Sequence, residues 1–128
     1  MIIAAAIGLS IGIILGLVLD ISYPTAYSFY ITMALLASMD SVLGALRAHM
    51  EGKYNNPVFI SGFLLNAFLA AALVYLGDRL GVPLYYAVIL VFGGRMFQNL
   101  AMIRRVLLDK YLQKRKEAKS RNLEKKVQ

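Results

Sequence analysis

The chain has 128 residues, room for one domain, and 59% of them are hydrophobic against 16% charged, a balance that excludes an ordinary soluble surface. There is no cysteine and one histidine, which excludes disulfides and thiol chemistry and supplies no metal-ligand set; no metal and no cofactor is expected. The net charge of +7 is uneven, with ten of the fourteen Lys and Arg at or after Arg104, so the basic character belongs to one end.

An apolar run from Ile2 to Leu19 is, at ~1.5 Å per residue, just long enough to cross a bilayer core. A cleaved signal peptide fits less well, because no basic residue precedes the run and no small-x-small site follows it. Gly8, Gly12 and Gly16 recur every four residues. That row predicts a face for close helix packing, within the chain or with a second copy. A link without Lys or Arg follows, carrying Asp20, Tyr23, Pro24 and Tyr27.

The second helix is expected from Ser28 to about Met50, with Asp40, Gly44 and Arg47 on one face of its second half. Gly52, Asn55, Asn56 and Pro57 form a turn, and Pro57 suits the first turn of the third helix, which is expected to reach Gly77. Gly62, Asn66 and Ala70 share one face of it. The link Gly77-Asp78-Arg79-Leu80-Gly81 leads to Pro83 and a fourth helix, expected to end near Ile103. The pattern is an all-α membrane protein: four transmembrane helices arranged as two hairpins over residues 1–105, then a basic tail over 106–128. In that tail Val106 to Leu112 continue a helix along the membrane surface, and the charged stretch beyond Gln113 is expected to be disordered. The positive charges place both the amino and carboxyl ends in the cytoplasm. Arg104, Arg105, Lys110, Lys114, Arg115 and Lys116 then face an anionic cytoplasmic leaflet.

Polar residues inside apolar segments are costly and need partners. Arg95, Gln98 and Asn99 share one face of the fourth helix. Counted at ~1.5 Å per residue from the nearest cytoplasmic helix end, Asp40 lies ~10 Å deep, Asn66 ~13 Å and Arg95 ~14 Å. Asp40, Asn66, Arg95, Gln98 and Asn99 therefore form one expected cluster, with Asp40 and Arg95 as an ion pair. Two readings stay open: a network that fixes helix register, or a site for an ion, a proton or an anionic head group. No nucleophile–base pair and no phosphate-cradling glycine loop is present, so the chain is not expected to be an enzyme. The basic tail lacks interleaved aromatics, and nucleic acid is not an expected partner.

Several polar stretches resemble the bacterial small basic protein family, which comprises short multi-pass membrane proteins. They are Met39-Asp40-Ser41 with Gly44 to His49, Gly52-Lys53-Tyr54, Phe59 to Phe63 with Asn66, and Phe92 to Asn99 with Ile103-Arg104-Arg105. The resemblance implies a bacterial cell membrane and a non-enzymatic role linked to cell division or envelope assembly. Two function classes follow. One is an interaction or scaffold component that docks unknown membrane partners or a second copy of itself. The other is a small oligomeric channel or carrier that uses the polar cluster.

Overall fold

The computed structural model describes residues 2–19, 22 and 24–127; Asp20 and Tyr23 of the first link lie outside the described residues. The described residues form four helices, α1 (Ile2–Val18), α2 (Thr25–Met50), α3 (Asn56–Leu80) and α4 (Tyr85–Val127). Of these, α2, α3 and α4 are long and apolar enough to cross a membrane, whereas α1 is a shorter apolar helix.

The element ends follow from local chemistry. Gly52 turns the chain out of α2 at φ 72°, and the Lys53 N–H returns to the Ala48 carbonyl at 2.8 Å, a wrap that satisfies a terminal carbonyl. The Asn55 side chain accepts from the Val58 N–H at 3.3 Å and caps α3, with Pro57 in its first turn, where a missing N–H costs nothing. At the other end α3 runs past the expected stop at Gly77 and closes at Gly81, φ 65°. The Val82 N–H then bonds the Gly77 carbonyl at 2.9 Å. A Cβ on Gly77 would lie 2.6 Å from the Val82 oxygen, so only glycine admits this fold-back.

The helices pack around α2. Tyr30–Asp78 and Ser41–Asn66 contacts run in opposite chain order, so α2 and α3 are antiparallel. Phe29–Tyr85, Asp40–Arg95 and Arg47–Asn99 run in the same order, so α2 and α4 are parallel. The expected pair of hairpins is therefore not the packing unit: α2 packs against both α3 and α4, α3 and α4 meet over a smaller area, and α1 packs on α2 alone. Small residues explain the choice. Ala37, Ser41, Gly44 and Ala45 line α2 and let two neighbours approach.

A core of Met33, Ala37, Ala70, Val74, Val88 and Phe92 joins the three helices on the side away from the α2–α3 loop. Much of the outer surface is apolar, including Leu64, Phe68, Leu90 and Phe97, far beyond the patches soluble monomers tolerate. The expected glycine contacts are not made within the chain: a Cβ on Gly8, Gly12, Gly16 or Gly62 meets nothing within 4 Å. The α1 row instead lines an open groove with Leu35.

The tail differs from expectation as well. It continues α4 without a break to Val127. Residues 106–127 contain no Gly or Pro and are rich in Lys and Leu, which are strong helix formers. Low hydrophobicity removes a buried face without removing helix propensity. Arg104, Arg105, Lys110, Lys114, Arg115 and Lys116 are all exposed along this extension.

Candidate functional site

Asp40 lies on the face of α2 that meets α4. Its side chain is 0% exposed, and its Oδ2 is 3.1 Å from Nη2 of Arg95 on α4, whose side chain is 49% exposed. The separation is that of an ion pair, yet neither Asp40 oxygen receives an aligned hydrogen bond. The contact is thus one of charge. Arg95 offsets the burial of a carboxylate without committing its N–H donors to it. The Arg95 guanidinium also stands 5.8 Å from the Phe92 ring centre, within cation–π range.

Asn66 of α3 reaches the same level but does not bond Asp40. Its Nδ2 donates to the Ser41 hydroxyl at 3.2 Å, and that hydroxyl donates to the Ala37 carbonyl at 3.0 Å. Asn99, 8% exposed, belongs to a second group. Its Oδ1 accepts at 3.5 Å from Nη1 of Arg47, whose Nε donates to Glu51 at 2.9 Å. The Arg47 hydrogen bond holds the Glu51 carboxyl below its ordinary range. Gly44 makes room here, since a Cβ there would stand 3.5 Å from Asn99 Nδ2. Gln98 is exposed and joins neither group. The expected single cluster is therefore two adjacent groups on α2, with Gln98 outside both.

Between α2, α3, α4 and the α2–α3 loop lies a cavity of about 290 Å³. Asp40, Ser41, Lys53, Tyr54, Asn66 and Arg95 supply its polar lining, and Val58, Phe59 and Gly62 part of its apolar wall. Gly52 delivers Lys53 here, because the left-handed turn after α2 folds the loop back over the helix end. Two cations and one carboxylate leave the lining with an excess positive charge. Among the described residues there is no cluster of three or more His, Cys, Asp or Glu suited to a metal.

The sequence pattern missed Ser41, Lys53 and Tyr54 as lining residues and the Arg47–Asn99 contact. Arg47 carried a signal, since it shares a helix face with Asp40 and Gly44. Lys53 carried none, as its position depends on the turn. At the far end, the Tyr30 hydroxyl donates to Asp78 at 2.6 Å and ties α2 to the last turn of α3.

A family described as "Protein of unknown function (DUF1290)" matches residues 23–108. That span holds α2, α3 and the first part of α4, and with them every residue of the cavity. The chain is 46% identical over 114 residues to the "Small basic protein" of Bacillus subtilis, a match that covers 89% of this chain and 94% of that one. It is 43% identical over 86 residues to "Uncharacterized protein Mb1855" of Mycobacterium bovis and, with the same figures, to "Uncharacterized protein Rv1824" of Mycobacterium tuberculosis; each match covers 66% of this chain and 71% of the relative. No solved structure matches the chain at a significant level.

Proposed function

The chain belongs to the DUF1290 family, and from that premise and the geometry above we propose that it is a non-enzymatic, multi-pass protein of the bacterial cell membrane that serves as an interaction component. The observation that carries this reading is the polar edge of α4, where Gln98 is exposed within a helix apolar enough to cross a membrane. Lipid offers such groups no hydrogen bonds, so exposed polar side chains at that depth call for a second protein surface. Four crossings, α1 included, leave both ends in the cytoplasm under the positive-inside rule, with the ten basic residues from Arg104 onward beside an anionic leaflet. The link to cell division or envelope assembly is supported by family resemblance alone.

The alternative, an oligomeric channel or carrier, draws on the cavity. Against it, Met33, Ala37, Val74, Val88 and Phe92 pack across the bundle on the side away from the α2–α3 loop and fill it with apolar side chains there.

Two experiments test the reading. With single cysteines, Ser22→Cys is expected to react with an impermeant reagent on intact cells and Ser120→Cys only after permeabilisation. The reverse pattern overturns the orientation, and reaction of both on intact cells overturns the four-span topology. A benzophenone side chain in place of Gln98 is expected to crosslink to protein in cells, whereas one in place of the buried Val88 is not. Lipid adducts alone at Gln98 would sink the interaction role.

A further inference from the structure

We propose that the cavity beside Asp40 binds a phosphate group, with Arg95 and Lys53 as its cationic ligands. The inference rests on the membrane reading above and deepens it by naming what the polar cavity holds.

Arg95 is the starting point. A guanidinium carries five N–H donors and seeks planar, multiply accepting anions. Here it stands 3.1 Å from Asp40, but no aligned hydrogen bond reaches that carboxylate. Arg95 makes no other hydrogen bond among the described residues. Asp40, wholly buried, holds the guanidinium by charge, and both residues line the cavity. Asp40 is thus a positioning residue, and Arg95 and Lys53 are the binding residues.

The charge balance of the lining points the same way. Arg95 and Lys53 oppose Asp40 alone, so the cavity is complementary to an anion. Asn55 and Val58 at the start of α3 also line it. A helix N-terminus carries about half a positive charge. It therefore reinforces the two cations instead of standing as a site by itself. A cation is disfavoured, since the carboxylate that would bind it is sealed from solvent and two positive side chains share the space.

Size and wall chemistry narrow the class. The volume of about 290 Å³ sits near the lower end of small-ligand pockets, roughly 300–1,000 Å³. It suits a phosphate with a short organic substituent, not a polypeptide segment. Val58, Phe59, Gly62, Ala45 and Ala48 contribute an apolar wall beside the charges, as a phosphate ester requires. A membrane phospholipid of the leaflet facing the α2–α3 loop and a free phosphate both meet this description.

The test is thermal unfolding of the full chain in neutral detergent. It is titrated separately with phosphatidylglycerol, with diacylglycerol of the same acyl chains, and with inorganic phosphate. A phosphate-bearing probe is expected to raise the midpoint and diacylglycerol to leave it. Phosphatidylglycerol acting alone identifies a lipid source, and inorganic phosphate acting as well identifies a site open to the soluble anion. Lys53→Gln is expected to lower the apparent affinity by about tenfold or more, the worth of one charged hydrogen bond. Arg79→Gln, exposed in the last turn of α3 at the opposite end from the cavity, is expected to leave it unchanged, which separates the cavity from general attraction to basic residues. Lys53 is exposed on a loop, so its variant keeps the test decisive even where Arg95→Gln does not fold. The proposal is overturned if diacylglycerol matches phosphatidylglycerol, if neither phosphate probe acts, or if Lys53→Gln binds as the unaltered chain does. Cysteine labelling reads membrane insertion without any lipid titration, so failure of the membrane reading is told apart from failure of the site.

Discussion

The Asp40 carboxylate, sealed from solvent, lies 3.1 Å from the guanidinium of the half-exposed Arg95. The asymmetry of exposure predicts an asymmetry of cost. Arg95→Gln leaves a buried carboxylate without a counter-charge and is expected to destabilise by ~3 kcal/mol. Asp40→Asn keeps the shape of the side chain and removes the buried charge itself, and is expected to cost less. The double variant is expected to resemble Asp40→Asn alone, because the buried charge is gone. Midpoints of thermal unfolding in detergent check this; equal costs for the two single changes would show that the pair does not stabilise in this way.

Glycines offer a second contrast. Gly77 sits where a Cβ would meet the Val82 carbonyl at 2.6 Å and the Leu84 nitrogen at 3.0 Å. Gly77→Ala is therefore expected to lower stability by ~1–3 kcal/mol through overpacking of a turn that cannot shift. Gly12 meets nothing within 4 Å, so Gly12→Leu is expected to leave the stability of a single chain unchanged. Any loss of a larger species on size-exclusion chromatography of Gly12→Leu would locate a contact between copies on the α1 face.

The Tyr30 hydroxyl donates to an Asp78 carboxyl oxygen at a short 2.6 Å. Tyr30→Phe is expected to loosen the tie between α2 and the last turn of α3. Amide hydrogen exchange at the last turn of α3, read by mass spectrometry, is expected to speed up in that variant while α1 stays as it was. Unchanged exchange there would mean that the Schellman-type turn at Gly81 suffices to hold the end of α3.

The tail gives a prediction that separates helix propensity from tertiary support. Residues 106–127 are helical and their described side chains are almost wholly exposed. A peptide of that span is expected to be partly unfolded in water, since isolated helices of this length are marginal. It should gain helicity on anionic vesicles and lose it as salt is raised, with each basic residue near the surface contributing ~1 kcal/mol at low ionic strength. Circular dichroism follows both steps. Helicity gained equally on neutral vesicles would assign the effect to Val106, Leu107, Leu108 and Leu112 instead.

The sequence alone determined the helical class, because long apolar runs broken by Gly, Pro and Asn allow few other solutions. It also determined that Asp40 and Arg95 belong together. Counting residues from the chain turns and from the basic end places both at one level, and two opposite charges isolated at one level find each other. Levels are what one-dimensional spacing can supply, since helix rise is constant.

What only the tertiary structure decided is which sides of the helices meet. The small residues of α2 let α3 and α4 close on it together, so α2 became the centre instead of one arm of a hairpin. That choice split the expected cluster, sending Asn66 to Ser41 and Asn99 to Arg47 and leaving Gln98 outside. It left the α1 glycines without a neighbour, because a packing face needs a second helix as well as a smooth surface. It also brought Lys53 over the cavity through a single left-handed glycine. The direction of a chain after such a turn depends on two backbone angles that no residue count records.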